Sequence, residues 1–132
     1  MENTLDKLKK ASEDLMFLSE SDYPFETVSF PAEKLRNLEE ENLKQALNLP
    51  AETTIEKQDL TYFLRNQTRD LPEYSDEEKA LAQRFQELEK VLMQELQNVT
   101  VFRVGQTQVD AYILGKMVDG NIGGLKTRLI ET

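Results

Sequence analysis

The segment from Ser75 to Asn98 constrains the fold of this chain more than any other stretch. Apolar residues recur in it at helical spacing, namely Leu81, Phe85, Leu88, Leu92 and Leu96. This spacing draws one apolar stripe along an α-helix. Ser75 and Glu78 form a capping-box pair, so we predict a helix over residues 76–97. At about 1.5 Å per residue this helix is roughly 33 Å long, and it needs an apolar surface of equal length.

The stretch from Val99 to Thr132 predicts that surface, because its apolar residues alternate with the period of a β-strand. Gly105-Gln106 and Asp119-Gly120 supply two turn signals between three alternating segments. Links this short join neighbouring antiparallel strands. We therefore predict an antiparallel meander of three strands that runs to Thr132 and is covered on its apolar face by helices.

The N-terminal segment predicts a first helix, capped by Asn3 or Thr4 and ending near Ser19, with the buried stripe Leu5, Leu8, Ala11, Leu15 and Leu18. Glu20 and Asp22 follow this predicted end, and no basic residue stands in its last turn. Acids there oppose the helix dipole by about 0.3–1 kcal/mol per charge. Local rules are often broken at functional sites, although an exposed loop tolerates such acids too.

The middle of the chain predicts shorter elements. They are a strand over 25–30, a helix over 32–47, a short strand over 53–57, a short helix after Asp59 and a loop over 65–73. The inward residues of the helix over 32–47 are Leu35, Leu38, Leu43 and Ala46. The whole chain, residues 1–132, is thus expected to form one α+β domain: an antiparallel β-sheet covered by the N-terminal helix and the long helix 76–97.

The amino-acid composition excludes several classes of site and partner. The chain has no cysteine and no histidine, so disulfides, thiolate zinc sites and imidazole catalysis are excluded for this chain acting alone. Its net charge of −9 repels phosphate backbones and anionic membranes, which argues against nucleic acid and favours a cationic protein partner. No apolar run approaches the roughly 18 residues of a membrane span, so we expect a cytoplasmic protein.

No motif of an enzyme stands out. The sequence has no phosphate-binding loop, nucleophile elbow or metal-binding spacing, and nothing selects a carboxylate pair for a hydrolase from its 25 acids. We therefore expect no catalytic residue, no cofactor and no metal site of its own. Acidic and aromatic residues mix over residues 20–26, which is typical of a protein-binding patch, while Tyr23 and Phe25 also fit the role of core anchors.

The chain resembles the nuclease A inhibitor (NuiA-like) family over nearly its whole length, except for residues 28–56. The resemblance begins at residues 17–26, Phe-Leu-Ser-Glu-Ser-Asp-Tyr-Pro-Phe-Glu. It continues through Asp59-Leu60 with Phe63, through residues 74–86, and through Arg103-Val104-Gly105, Val109-Asp110, Tyr112, Gly115, Gly120-Asn121, Gly124 and the final Glu131-Thr132.

The resemblance implies an α/β/α sandwich and inhibition rather than catalysis. The expected partner is a metal-dependent, sugar-nonspecific nuclease, bound one to one by a chain that is monomeric when free. The position of Glu20 implies the main charge contact with arginines of the nuclease. The position of Thr132 implies that its carboxylate approaches the divalent cation of the nuclease. Asp22, Glu73 and Tyr74 are expected at the rim of the contact.

The chain departs from the family pattern just before Tyr74. The characterised family member has an acidic residue and a tryptophan there, whereas this chain has Pro72-Glu73. An aromatic anchor is therefore absent at this position. This absence fits inhibition of a different cognate nuclease, or a function that has diverged from inhibition. An acidic interaction module for a cationic, non-nuclease partner is the alternative to inhibition.

Overall fold

The computed structural model describes residues 3–17, 22–35 and 37–130. The helices are α1 Thr4–Ser12, α2 Glu40–Ala46, α3 Leu60–Phe63, α4 Arg65–Thr68 and α5 Asp76–Glu95. The strands are β1 Met16–Phe17, β2 Tyr23–Pro24, β3 Glu26–Phe30, β4 Ile55–Gln58, β5 Gln97–Val104, β6 Gln108–Lys116 and β7 Ile122–Ile130.

The capping box at the start of α5 is confirmed. The Glu78 N–H donates to Ser75 Oγ at 3.2 Å, and the Ser75 N–H donates to Glu78 Oε1 at 3.0 Å. The predicted stripe is buried at Phe85, Leu88, Leu92 and Leu96 and half-buried at Leu81. The predicted end at residue 97 is wrong: Leu96 is already extended, with φ −124° and ψ 146°, and Gln97 begins β5.

The antiparallel meander of β5, β6 and β7 is confirmed, and two outer strands widen it to five in the order β3-β7-β6-β5-β4. Both predicted turns contain a glycine in the left-handed region, Gly105 with φ 111° and Gly120 with φ 90°. The segment predicted as a strand over 25–30 is β3, and the one predicted over 53–57 is β4. Each pairs antiparallel with a strand of the meander.

Helices cover both faces of this sheet, so the α/β/α sandwich is confirmed. On one face, Val101, Ile113 and Leu125 pack with α1, α3 and α5 in the main core. On the other face, Phe102, Tyr112 and Leu114 pack with α2 and the segment before it in a second core. Alternation along each strand sends successive side chains to opposite cores, which accounts for strands that are apolar on both sides.

The predicted end of the first helix is wrong, because α1 stops at Ser12 rather than near Ser19. Ser12 Oγ donates to the Leu8 carbonyl at 2.9 Å. Asp14 adopts a left-handed φ of 63°, and a right-handed α-helix cannot continue through a residue in this conformation. The last turn of α1 contains Lys9 and Lys10. Asp22 therefore does not follow an uncapped helix end, and the dipole argument for the acids fails.

Two predictions in the middle of the chain are also wrong. The helix expected over 32–47 begins only at Glu40, after a turn over residues 32–34, although Leu35, Leu43 and Ala46 are buried as predicted. The loop expected over 65–73 contains the single-turn helix α4. By contrast, Asp59 caps α3 as predicted, accepting a hydrogen bond from the Tyr62 N–H at 3.3 Å.

Candidate protein-binding site

Two of the five predicted site residues, Glu20 and Thr132, lie outside the described residues. Their chain neighbours are described. The strands β1 and β2 stand on either side of the segment 18–21, and Ile130 directly precedes the segment 131–132. The geometry of these flanking residues therefore defines the candidate site.

The hairpin of β1 and β2 is anchored in the main core. It is a two-residue ladder in which Met16 pairs with Pro24 and Phe17 with Tyr23. The Phe17 ring stacks on Phe63 with centroids 4.7 Å apart and meets Phe25 edge-on at 6.5 Å. Phe25 in turn meets Phe85 of α5 at 6.2 Å, as its interpretation as a core anchor predicts. Aromatic contacts of this kind hold the base of the hairpin in a fixed orientation.

The same hairpin is hydrogen-bonded to β7. Thr127 is 3% exposed, and its Oγ1 lies 2.9 Å from the Pro24 carbonyl and 3.3 Å from the Tyr23 carbonyl. The guanidinium carbon of Arg128, the next residue, lies 6.0 Å from the centroid of the Tyr23 ring. β7 thus holds β2 through a buried hydroxyl and an aromatic contact just before its own end at Ile130.

Arg128 is itself oriented by an acid. Its Nε donates to Asp110 Oδ1 at 2.9 Å, and the two residues are direct cross-strand partners on β6 and β7. The hydrogen bond to Asp110, and then the charge of that carboxylate, raise the pKa of Arg128 above its already high ordinary value. Arg128 therefore stays cationic and keeps one direction across the sheet.

A cavity of about 270 Å³ lies between the hairpin and this end of the sheet, lined by Tyr23, Pro24, Glu26, Asp110, Lys126, Thr127 and Arg128. Opposite charges balance within it. Lys126 Nζ lies 3.9 Å from Glu26 Oε1 and 5.4 Å from the centre of the Tyr112 ring. The cavity beside β2 is therefore polar, and its lining includes two acids, Glu26 and Asp110, and two bases, Lys126 and Arg128.

The predicted rim residues occupy loops. Asp22 is exposed and directly precedes β2, and Glu73 is exposed in the turn before α5. Tyr74 is half-buried, its N–H donates to the Leu71 carbonyl at 3.1 Å, and it lines a small cavity of about 80 Å³ beside Gln67 and Phe85. At the position of the missing family tryptophan, the structure has the exposed carboxylate of Glu73.

The topology brings these loops to one end of the domain. Only Leu96 separates α5 from β5, so α5 lies antiparallel to β5. The start of α5 is therefore at the same end of the domain as the C-terminal ends of β5 and β7. α1 lies antiparallel to α5, since Lys7 Nζ is 3.4 Å from Glu95 Oε1 and Arg84 Nη2 donates to the Glu13 carbonyl at 2.6 Å. The hairpin after α1 therefore lies toward the start of α5. We call this end, with Asp22, Tyr23, Glu73, Tyr74 and Ile130, the binding end.

Three residues that hold the binding end together were not singled out from the sequence: Thr127, Arg128 and Asp110. For Thr127 a signal existed. It stands between Leu125 and Leu129 on the core-facing row of β7, where a hydroxyl needs an internal partner. The pairing of Arg128 with Asp110 required the register of β6 and β7, which the turn chemistry alone does not fix.

One further residue among those described has a shifted pKa. Burial, and then the charge of Asp59, raise the pKa of Glu89 on α5 above its ordinary value. Across residues 3–17, 22–35 and 37–130, no group of three or more acids lies close enough to hold a metal ion. In the same ranges, no helix is both long and apolar enough to cross a membrane.

The described residues form an α/β/α domain in which the β1–β2 hairpin, with the exposed Asp22 beside it, and the turn with the exposed Glu73 lie toward one end. A sequence profile described as nuclease A inhibitor-like protein matches residues 2–132. The chain belongs to the nuclease A inhibitor-like family. No curated protein matches the chain at a significant level.

Proposed function

We propose that this protein inhibits a metal-dependent, sugar-nonspecific nuclease by occupying its active site with the carboxylates of Glu20 and Thr132. Membership of the nuclease A inhibitor-like family supports an inhibitory role in general. A nuclease cleft holds phosphate oxygens with cationic side chains and a hard metal ion. Carboxylates that are held rigidly at matching positions imitate those oxygens.

One observation carries the proposal most strongly: the residues next to both anchor segments are bonded to each other. The carbonyls of Tyr23 and Pro24 on β2 lie 3.3 Å and 2.9 Å from Thr127 Oγ1 on β7, within reach of its one hydroxyl proton. Groups that are already ordered lose little conformational entropy on docking. The described residues on the two sides, β2 and β7, therefore belong to one connected unit, which supports the proposal that both anchors act together.

Charge and composition support the same proposal. The net charge of −9 steers the protein toward a cationic cleft and away from the phosphate backbone of the nucleic acid itself. Asp22, Glu73 and Tyr74 lie at the binding end and are proposed as rim contacts. The exposed Glu73 replaces an aromatic anchor with a charge, which favours a cognate nuclease that has a basic residue at this point of the contact.

The direct test is a titration of DNA cleavage. Metal-dependent, nonspecific nucleases from the same cell are incubated with increasing amounts of the protein, and cleavage is followed at saturating Mg²⁺. A tight inhibitor abolishes cleavage at one equivalent. A gel-shift assay of the protein with DNA alone is the control, because sequestration of substrate also lowers cleavage. Unimpaired cleavage at large excess of the protein, for every such nuclease, contradicts the proposal.

The departure at Pro72-Glu73 favours one alternative, an acidic module that binds a cationic protein other than a nuclease. Affinity capture from the native cell separates the two functions. Recovery of a metal-dependent nuclease supports inhibition, whereas recovery of a basic regulatory protein supports the alternative. Hydrolytic activity of the isolated protein on either nucleic acid or ester substrates contradicts both.

A further inference from the structure

We infer that Thr127 is a positioning residue for inhibition: its hydroxyl fixes β2, the strand that follows Glu20 in the chain, on β7. This inference rests on the proposed function and adds a residue that contacts no part of the nuclease. Thr127 is 3% exposed, so it acts only through the groups that it holds.

The geometry of the hydroxyl supports this role. Oγ1 has one proton to donate, and both carbonyls of Tyr23 and Pro24 lie within its reach, at 3.3 Å and 2.9 Å. The hydroxyl therefore satisfies whichever carbonyl it faces and bridges two successive peptide units of β2. Among the described residues the ladder between β1 and β2 has two residue pairs, and a hairpin this short is marginal without outside support.

Among the described residues, the neighbours of Thr127 on β7 have other partners than the β2 carbonyls. On one side Arg128 lies against the Tyr23 ring, at 6.0 Å from its centroid, while its Nε is committed to Asp110. On the other side Lys126 pairs with Glu26 of β3, where the regular ladder between β3 and β7 has its last pair. Beyond that pair, β7 contacts Tyr23 and Pro24 through the side chains of Thr127 and Arg128.

The test is the substitution Thr127→Val, which keeps the side-chain shape and removes the hydroxyl. With a purified nuclease that the wild-type protein inhibits, we expect the inhibition constant to rise about tenfold, the size of one lost hydrogen bond. Thr127→Ser, which restores the hydroxyl, should recover most of the affinity. Thr100→Val is the matched control, since Thr100 Oγ1 also donates to a backbone carbonyl, that of Asn98 at 3.1 Å, but at the start of β5.

A double-mutant cycle with Glu20 separates positioning from general destabilisation. If Thr127 acts through the segment 18–21, Thr127→Val should have almost no effect on inhibition in a Glu20→Gln background. A purely structural loss would lower affinity equally in both backgrounds and would overturn the inference. Unchanged inhibition by Thr127→Val in the wild-type background would overturn it as well.

Hydrogen exchange gives a readout that needs no nuclease. The backbone N–H groups of Met16, Phe17 and Tyr23 should exchange about tenfold faster in Thr127→Val than in Thr100→Val, while the centre of β6 is unchanged. Equal exchange in the two variants overturns the anchoring of the hairpin. A wild-type protein that inhibits no nuclease refutes the proposed function instead, and that outcome is distinct from inhibition that Thr127→Val leaves intact.

Discussion

Phe17 and Phe63 stack with ring centroids 4.7 Å apart and planes inclined by 13°. Phe17 is the last residue of β1, directly before the segment 18–21, and Phe63 ends α3, the helix that leads through α4 to Glu73 and Tyr74. A stacked pair of this kind contributes about 0.5–1.5 kcal/mol beyond its buried area. The stack therefore joins the hairpin to the chain segment that leads into α5, the other half of the binding end.

Replacing the proposed main anchor should weaken binding strongly. Glu20→Ala is expected to cost about 2–5 kcal/mol of binding free energy, because it leaves cationic groups of the nuclease without their partner. Isothermal titration with the inhibited nuclease measures the loss. Glu41→Ala, an exposed acid on α2 against the opposite face of the sheet, is the control and should bind like wild type. Equal affinity of the Glu20 variant would remove Glu20 from the mechanism.

Extending the chain beyond Thr132 tests the second anchor. A few neutral residues added there move the carboxylate away from the metal of the nuclease, so inhibition should be lost. The same residues added before Met1 should leave inhibition intact. Thermal unfolding should be unchanged in both proteins, because the extension touches no core residue. Full potency of the protein extended after Thr132 would contradict a terminus that faces the metal.

Association should depend on salt. A protein of net charge −9 is steered toward a cationic cleft, and steering weakens as the Debye length shortens. Stopped-flow measurements should show an association rate that falls by about tenfold or more between about 0.05 M and 0.5 M NaCl. The dissociation rate should change much less. A salt-independent association rate would mean that long-range charge plays no part in encounter.

The capping box makes a prediction about stability alone. Ser75→Ala removes the acceptor of the Glu78 N–H and should lower the free energy of unfolding by about 1 kcal/mol. Urea denaturation measures this change. Ser75→Asp retains an N-cap acceptor, so its free energy of unfolding should differ from that of wild type by about 0.3 kcal/mol or less. A variant Ser75→Ala as stable as wild type would show that the first turn of α5 does not depend on its cap.

Glu89 predicts a pH dependence of stability. Burial and the charge of Asp59 raise its pKa in the folded protein, so the folded state binds this proton more tightly than the unfolded state does. Stability is then lost as pH rises from the ordinary glutamate pKa through the raised value. Glu89→Gln should therefore gain stability relative to wild type between about pH 4 and pH 8.

Denaturant midpoints at several pH values measure that gain. The exposed neighbour Glu87, changed to Gln, provides the control for removing a surface carboxylate from α5. A constant difference for Glu89→Gln, or a loss of stability at neutral pH, would contradict the assigned cause.

Much of the sheet and the long helix follows from local chemistry. The apolar stripe of α5, its capping box and the glycine turns of the meander are each encoded within a few neighbouring residues, so periodicity and turn chemistry predict them. The same reasoning fails at α1. Leu15 continues the helical spacing and is indeed buried, but it reaches the core from a turn after Asp14. A periodic pattern does not reveal where the backbone leaves the helix.

The candidate site is less predictable, because it depends on contacts between distant segments. Sequence reasoning found Asp22, Glu73 and Tyr74 by composition and resemblance, but not that their loops share one end. That arrangement follows from the antiparallel packing of α1 on α5, which local sequence patterns do not dictate. Thr127 had a signal, a hydroxyl among core-facing leucines, whereas its acceptors on β2 emerge only once the hairpin lies on β7.

The sheet order also has a consequence for synthesis of the chain. Val28 of β3 pairs with Gly124 of β7. The strand β3 is synthesised early but cannot form its backbone hydrogen bonds until β7 has been synthesised. A nascent chain interrupted ahead of β7 leaves the hairpin without Thr127 to hold it. Truncated chains that lack β7 should thus be inactive in the inhibition assay that tests the proposed function, because both β3 and the hairpin lose the strand that holds them.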